Sequence, residues 1–267
     1  MPKPSRPGQI GRLLIRSPRD AIVRLALATA LGSVAAGASG STQTPSTPRA
    51  TLRPAKATGV ATATGSIRGR ADRDFVIQCA AGQTLDVALH ASSLSAYFNV
   101  LPPGSNDVAM FIGGASGNEF HGIVPATGDY VVRIYLVRSA ARRQVTSTFT
   151  LTARKSGTAF VPLPAREDAT VPGTPYHATA TVHCVLPYQP EVKECEAGVI
   201  RYDHSGTATV EMRGPRHFLR RVLFVKGVPT ASDATESPTA SRSGDTITVS
   251  IGADERYEIP EALLIGG

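Results

Sequence analysis

The fold of this chain is decided by one stretch, Gly128-Asp129-Tyr130-Val131-Val132-Arg133-Ile134-Tyr135-Leu136. Every second residue from Tyr130 to Leu136 is apolar, whereas Arg133 and Tyr135 lie between these apolar positions. A period of two is typical of a strand that buries one face. The stretch therefore predicts a half-buried β-strand.

A cluster of arginines follows this strand directly, in the run Val137-Arg138-Ser139-Ala140-Ala141-Arg142-Arg143. If the turn is briefly helical, the i, i+4 spacing places Arg138 and Arg142 on one side. Two guanidinium groups there could each bind a carboxylate through paired hydrogen bonds, which lysine does less well. A charged loop that only increases solubility is the alternative interpretation.

The N-terminal segment is predicted to be a secretory signal peptide, residues 1–38. Six basic residues precede an apolar run from Leu25 to Ala36, and Ala36-Gly37-Ala38 supplies the small residues of a cleavage site after Ala38. The apolar run is short for a bilayer span, so a retained membrane anchor is the weaker alternative and no stable insertion is expected. The mature protein is expected in the periplasm or outside the cell. Residues 39–57 are rich in Ser, Thr, Pro and Ala and are predicted to be a disordered linker.

The charge of the chain is concentrated in the predicted signal peptide. The formal net charge is +7, but removing the six basic groups and one acidic group of residues 1–38 leaves only +2. Bulk charge therefore gives no reason to expect a nucleic-acid partner. The remaining charge is uneven, with a net of +3 over residues 58–155 and −4 over residues 156–267. This division favours two modules.

The pattern of short apolar runs predicts an all-β protein. Such runs recur every eight to twelve residues, separated by Gly and Pro, and no window of helical length has a period of 3.6. We expect two small antiparallel β-sandwich or barrel-like domains, residues 58–155 and 174–267, joined by a linker at 156–173. Within the second domain, the polar stretch from Lys226 to Asp245 is predicted to be a mobile loop.

The sequence contains little that could support catalysis. Gly114-Ala115-Ser116-Gly117-Asn118 resembles a nucleophile elbow, but it lacks the last glycine and is better interpreted as a hairpin loop. Asp72 and Asp74 are expected to be solvated turn acids rather than a catalytic pair. His90 and His121 are single residues without a partner at metal-ligand spacing. We therefore predict that the protein is not an enzyme and needs no cofactor.

The cysteines predict one disulfide. Cys184 and Cys195 bracket a turn, and an exported protein meets an oxidising compartment. Zinc is the alternative, because His177, His183 and His204 are near in sequence, but metal-ligand spacings are missing and no metal site is predicted. Cys79 is expected to be a buried thiol. The charged runs 216–221 and 254–260 are expected to be solvated edges whose charges pair with one another.

Three motifs carry a resemblance to a known family. These are Ser95-Ala96-Tyr97-Phe98-Asn99-Val100, then Gly128-Asp129-Tyr130, and then the run from Arg133 to Arg143. Together they resemble the periplasmic inhibitors of goose-type (g-type) lysozyme of Gram-negative bacteria, and the pre-peptidase C-terminal type of β-sandwich to which these are related. The resemblance spans roughly residues 58–154. Two departures are Val137, where methionine is expected, and the attached second module.

The resemblance implies an exported, non-catalytic β-sandwich that binds g-type lysozyme and blocks its cleft. Tyr97, Arg138, Arg142 and Arg143 fall in or beside the motifs and are the predicted lysozyme-binding residues. A lysozyme cleft carries catalytic carboxyl groups, so an inserted arginine has a natural partner there. The alternative function is a non-catalytic structural protein of the envelope, or one that binds carbohydrate or another partner. The resemblance assigns no role to the second module.

Overall fold

The computed structural model of the protein describes residues 47–266, so the predicted signal peptide 1–38 lies outside the described residues. The expected all-β fold class is confirmed. The elements of the first half are β1 (Arg49–Thr51), β2 (Val60–Arg68), β3 (Arg73–Cys79), β4 (Thr84–Ala91), β5 (Ala96–Leu101), β6 (Phe111–Ile112), α1 (Gly113–Ser116), β7 (Glu119–Ile123), β8 (Gly128–Leu136), α2 (Arg138–Arg142) and β9 (Thr146–Ser156).

These strands form two sheets that pack face to face. One sheet has the order β1-β3-β8-β5-β6, and the other has the order β2-β9-β4-β7. Neighbouring strands are antiparallel except β1 and β3, which are parallel. Apolar side chains from both sheets, including Ile77, Val132, Leu85 and Leu151, meet in one core. The packing of two sheets over a shared core defines a β-sandwich.

Strand β8 lies in the middle of its sheet, between β3 and β5. Its inward side chains Tyr130, Val132 and Ile134 are fully buried, and Leu136 is nearly so. The buried hydroxyl of Tyr130 donates a hydrogen bond to the carbonyl oxygen of Ala126 at 2.8 Å, so its polar end is satisfied. The prediction of a strand with one buried face is confirmed.

The second half contains one large antiparallel sheet. Its elements are β10 (Ala178–Leu186), β11 (Gln189–Arg201), β12 (Ala208–Arg213), a 3-10 turn (Pro215–His217), β13 (Leu219–Val225), β14 (Val228–Ser232), β15 (Pro238–Ser243), β16 (Thr246–Ile251), β17 (Glu255–Pro260) and α3 (Glu261–Ile265). The eight strands follow the order β14-β13-β12-β11-β10-β17-β16-β15 and curl into a nearly closed, barrel-like sheet. Its core includes Val210, Phe224 and Tyr257.

The polar stretch from Lys226 to Asp245 is not the loop that its composition suggested. It contains β14 and β15, which pair with β13 and β16 respectively and form the two ends of the large sheet. Strand β15 is exposed along almost its whole length. An exposed end strand buries no apolar face, so it has none of the alternation by which strands are detected.

The predicted linker 39–57 also differs from expectation in its second part. Residues 49–51 form β1, which runs parallel to β3, and the following Leu52 is buried in the sandwich core. The strand β6 that precedes the Gly114–Asn118 motif is only two residues long, Phe111–Ile112. The segment after it forms the short helix α1 rather than a plain hairpin loop.

Several contacts join the two halves. The guanidinium of Arg221 donates to the carbonyl oxygen of Pro103 at 3.0 Å, and the hydroxyl of Thr209 donates to the carbonyl oxygen of Pro125 at 2.5 Å. The rings of Phe160 and Tyr202 also meet, with centroids 5.5 Å apart. The predicted domain boundaries stay a prediction. Within residues 47–266, no helix has the length and apolar character needed to cross a membrane.

Candidate functional site

The segment after β8 is a single helical turn, α2, with an arginine at each end. Arg138 and Arg142 are exposed, whereas Ala140 and Ala141 between them are buried against the sandwich core. The backbone N–H of Ala141 donates to the carbonyl oxygen of Val137 at 2.9 Å, and no side chain caps the N-terminal end of the helix. A helix this short is marginal alone, so burial of the two alanines must hold it in place. The core thereby fixes both arginines at the surface.

Beside α2 lies an open groove of about 630 Å³. It is bounded by the outward face of β8, the turn between β2 and β3, and α2. Its lining residues are Arg70, Asp72, Asn99, Arg133, Tyr135, Leu136, Arg138, Ala141 and Arg142. Four of these carry a guanidinium group and one carries a carboxylate, so the groove favours anions.

Arg133 is a structural part of the groove wall. Its Nε and Nη2 donate to the two carboxylate oxygens of Asp74 at 2.7 and 2.9 Å, and its Nη1 donates to the carbonyl oxygen of Asn106 at 2.8 Å. The hydrogen bonds to Asp74 raise the pKa of Arg133. Because its donors are already engaged by neighbouring residues, Arg133 is not an open anchor for a ligand.

The expectation that Asp72 and Asp74 are solvated turn acids is wrong for Asp74, which lies in β3, and holds in part for Asp72, which precedes the strand. Asp74 is almost completely buried, and Arg133 compensates its charge. Asp72 is half-buried in the groove, where burial raises the pKa of its carboxyl group, Arg133 opposes this shift and Asp74 adds to it. Within residues 47–266, no hydrogen bond or ion pair involves the Asp72 carboxylate.

Two tyrosines support the groove from the side of β5 and β8. The hydroxyl of Tyr135 accepts a hydrogen bond from the backbone N–H of Gly114 at 3.2 Å, and burial raises the pKa of this tyrosine. Tyr97 lies opposite Tyr135 on β5, with ring centroids 6.5 Å apart. Tyr97 is therefore next to the groove but does not line it.

The three arginines predicted to bind lysozyme do not all line the groove. Arg138 and Arg142 line the groove, whereas Arg143 follows α2, is exposed, and lies outside the lining. Arg70, from the turn between β2 and β3, joins the first two. Within the described part of the chain, the side chains of Arg70, Arg138 and Arg142 form no hydrogen bond or ion pair. Their donors are available to a ligand.

Sequence reasoning missed Asn99, Arg70 and Asp72 as members of the site. Asn99 lies directly opposite Arg133 in the register of β5 and β8, and its Oδ1 is buried without a hydrogen-bond partner among residues 47–266. Alternation along β5 could have placed Asn99 on the outward face. However, only the strand register brings it next to Arg133, and register between distant segments is not written in either segment alone.

Two arginines of the second half, Arg220 and Arg221, differ from the expected solvated edge, although the expected pairing between the two charged runs is present in Arg220 with Glu255. Arg220 and Arg221 are buried, not part of a solvated edge. Arg220 donates to the two carboxylate oxygens of Glu255 at 2.8 and 2.6 Å, and Arg221 donates to Glu211 at 3.0 Å and to Asp233 at 3.2 Å. Burial raises the pKa of Asp233, although both arginines oppose the shift. This is a compensated, buried ion cluster.

The cysteines follow the prediction. Cys184 and Cys195 form a disulfide, and Cys79 is a buried free thiol whose pKa is raised to about 11 by burial, against the charge of Lys155. Among the described residues, no group of three or more His, Cys, Asp or Glu side chains could hold a metal ion. His183 instead lies 3.3 Å from a carboxylate oxygen of Glu258 at the surface.

Comparison with known proteins gives similarity at the level of structure. No protein-family model matches the chain, and no curated protein sequence matches it. PliG of Aeromonas hydrophila, a periplasmic lysozyme inhibitor of g-type lysozyme, is similar over 41% of this chain and 96% of its own, with 28% identity and a TM-score of 0.38. PliG of Salmonella Typhimurium, also a periplasmic inhibitor of g-type lysozyme, covers 41% of this chain and 98% of its own, with 20% identity and a TM-score of 0.33.

A third similar structure is of another kind. The lipase BlEst2 of Bacillus licheniformis, in its propeptide form, covers 76% of this chain and 43% of its own, with 10% identity and a TM-score of 0.27. All three TM-scores are low, and these likenesses by themselves decide neither the fold nor the function.

Proposed function

We propose that this chain is an exported, non-catalytic inhibitor of g-type lysozyme that binds the enzyme through the groove beside α2. The observation that carries the proposal is the pair Arg138 and Arg142, exposed and without partners in the described structure, on a helical turn fixed by buried alanines. The target class comes from the motif resemblance of residues 58–154. The expected compartment, the periplasm or the cell exterior, comes from the predicted signal peptide.

The chemistry of the groove supports this target. A glycoside hydrolase needs carboxyl groups beside the scissile bond, so its cleft is electronegative. The unpaired guanidinium groups of Arg138 and Arg142 can each bind a carboxylate through two hydrogen bonds. An interface of this kind is dominated by a few central side chains, and arginine and tyrosine are common among them. Tyr97 extends the contact beside the groove.

The test is an inhibition assay with the purified protein and a g-type lysozyme acting on cell walls. The wild-type protein is expected to slow lysis in a dose-dependent manner. The double variant Arg138→Ala/Arg142→Ala is expected to raise the inhibition constant by roughly 100-fold or more, as loss of two central arginines does elsewhere. Arg68→Ala, at an exposed arginine on β2 outside the groove, is the matched control and is expected to inhibit like the wild type.

Three results would count against the proposal. Absence of inhibition by the wild-type protein rejects the function, and retention of the protein on peptidoglycan without any effect on lysozyme would favour the alternative of an envelope-binding protein. Full inhibition by the double variant would reject the groove as the binding site.

A further inference from the structure

The groove contains hydrogen-bond acceptors that its arginines do not use. Asp72 and Asn99 both line it, and neither the Asp72 carboxylate nor the Asn99 Oδ1 atom has a hydrogen-bond partner among residues 47–266; the Oδ1 atom is buried, whereas Asp72 is half-buried. Arg133, which lies opposite Asn99 in the register and whose charge acts on Asp72, is held by Asp74 and Asn106 instead. A polar group that is buried without a partner costs free energy, and partial burial of the Asp72 carboxylate is unfavourable for the same reason, so its place in the groove needs an explanation.

Attraction of negative charge by the groove gains nothing from Asp72. This carboxylate cancels part of the positive charge of Arg70, Arg138 and Arg142, and its partial burial is unfavourable because it loses solvation. Repulsion between Asp72 and an incoming carboxylate would weaken binding of a simple anion. The combination instead matches a ligand that carries a carboxylate and, beside it, a positive charge or another N–H donor.

We propose that the groove recognises a carboxylate with an N–H donor beside it, and that Asp72 is the residue that selects for this donor. Arg70, Arg138 and Arg142 bind the carboxylate, and Asp72 accepts from the ammonium, guanidinium or amide group. This inference deepens the proposed function and rests on it, because the same groove would then meet a carboxylate and a neighbouring donor in the lysozyme cleft. Asp72 discriminates against ligands that are only anionic.

Two small molecules separate this idea from simple charge attraction. L-glutamate and glutarate carry the same pair of carboxylates, and only glutamate has an ammonium group. Attraction to a positive groove favours glutarate, because its net charge is more negative. Selection by Asp72 favours glutamate, because the ammonium group gains a charge-assisted hydrogen bond.

The experiment is an NMR titration of the full-length protein with each molecule, following the side-chain Nε–H signals of the arginines. Wild-type protein is expected to bind glutamate at least about tenfold more tightly than glutarate, the lower end of the value of one hydrogen bond between charged groups. Asp72→Asn is expected to reverse the order, since only net charge then decides. Asp129→Asn removes the same charge at an exposed site on β8 outside the groove and is expected to keep the wild-type order.

The outcomes are distinct from those of the lysozyme assay. The inference would be overturned if wild type and Asp72→Asn showed the same preference between glutamate and glutarate, or if neither molecule bound. If the protein inhibits lysozyme but the titration gives one of these results, only the inference about Asp72 is rejected and the proposed function stands. Preference for glutamate without inhibition of lysozyme would reject the proposed function and leave the groove with another partner of the same chemistry.

Discussion

Two pairs of arginines in this molecule have opposite environments. Arg138 and Arg142 are exposed and form no ion pair within residues 47–266, whereas Arg220 and Arg221 are buried and paired with carboxylates. Removing a buried, paired arginine leaves an uncompensated buried charge, so Arg220 and Arg221 stabilise the fold. Replacing an exposed arginine changes the stability of a fold very little. Arg138 and Arg142 are therefore not needed for folding, and their donors are available for binding.

The side chains of Arg220 and Arg221 lie on opposite faces of the large sheet. Arg220 alternates with Val222 and Phe224, which lie in the barrel core, and it meets Glu255 there. The next residue, Arg221, points to the other face and reaches the carbonyl oxygen of Pro103 in the first half. Asp233 bonds to both arginines. The cluster therefore connects the barrel interior to the sandwich.

The largest effect on stability is expected at Arg220. Arg220→Met leaves the buried carboxylate of Glu255 without its guanidinium partner and removes one of the two arginines that bind Asp233, and should lower the free energy of unfolding by about 3–5 kcal/mol. Urea denaturation followed by fluorescence or circular dichroism measures this change. Arg256→Met, at an exposed arginine on β17, is the control and should change stability by less than about 0.5 kcal/mol. Similar stabilities for the two variants would remove the distinction between paired and unpaired arginines.

A smaller loss is expected at Arg133, which combines features of both pairs. Arg133→Met leaves Asp74, buried to 3% exposure, with only Arg49 at 3.9 Å, and should cost about 1–3 kcal/mol. The same denaturation experiment applies, with Arg73→Met as the exposed control on β3. If Arg133→Met were as stable as this control, Arg133 would have to be counted with the open arginines of the groove.

The smallest effect on stability is expected at Asp72, where substitution should increase stability rather than lower it. Since burial raises the pKa of Asp72 above its ordinary 3.8, the folded protein binds this proton more readily than the unfolded chain. Ionised Asp72 therefore destabilises the fold at neutral pH, and Asp72→Asn should raise the melting temperature slightly at pH 7. The difference should shrink as the pH falls through the raised pKa and vanish below 3.8. A lower melting temperature for Asp72→Asn at pH 7 would show that Asp72 stabilises the fold.

Much of the first site could be predicted from sequence because its signals are local. The alternation of β8 indicates which side chains face outward, and the spacing of Arg138 and Arg142 within one turn is sufficient to place them together. Asp72 and Asn99 could not be placed, because they come from other segments and join the groove only through the sheet register.

The second arginine pair could not be predicted for a different reason. Arg220 and Arg221 are adjacent in sequence, and two consecutive charges usually indicate a solvated segment. Both are buried because β13 has the barrel core on one side and the first half of the protein on the other. The carboxylates that make this possible, Glu211, Asp233 and Glu255, come from three other segments. Composition alone does not reveal such pairing.

The contrast between the two arginine pairs is tested most directly by amide hydrogen exchange of the full-length protein with and without g-type lysozyme. Exchange is expected to slow on binding in residues 135–143, which include α2, and to stay unchanged in β13, which carries Arg220 and Arg221. Slower exchange in β13 or elsewhere in the large sheet, with no change in residues 135–143, would contradict the account.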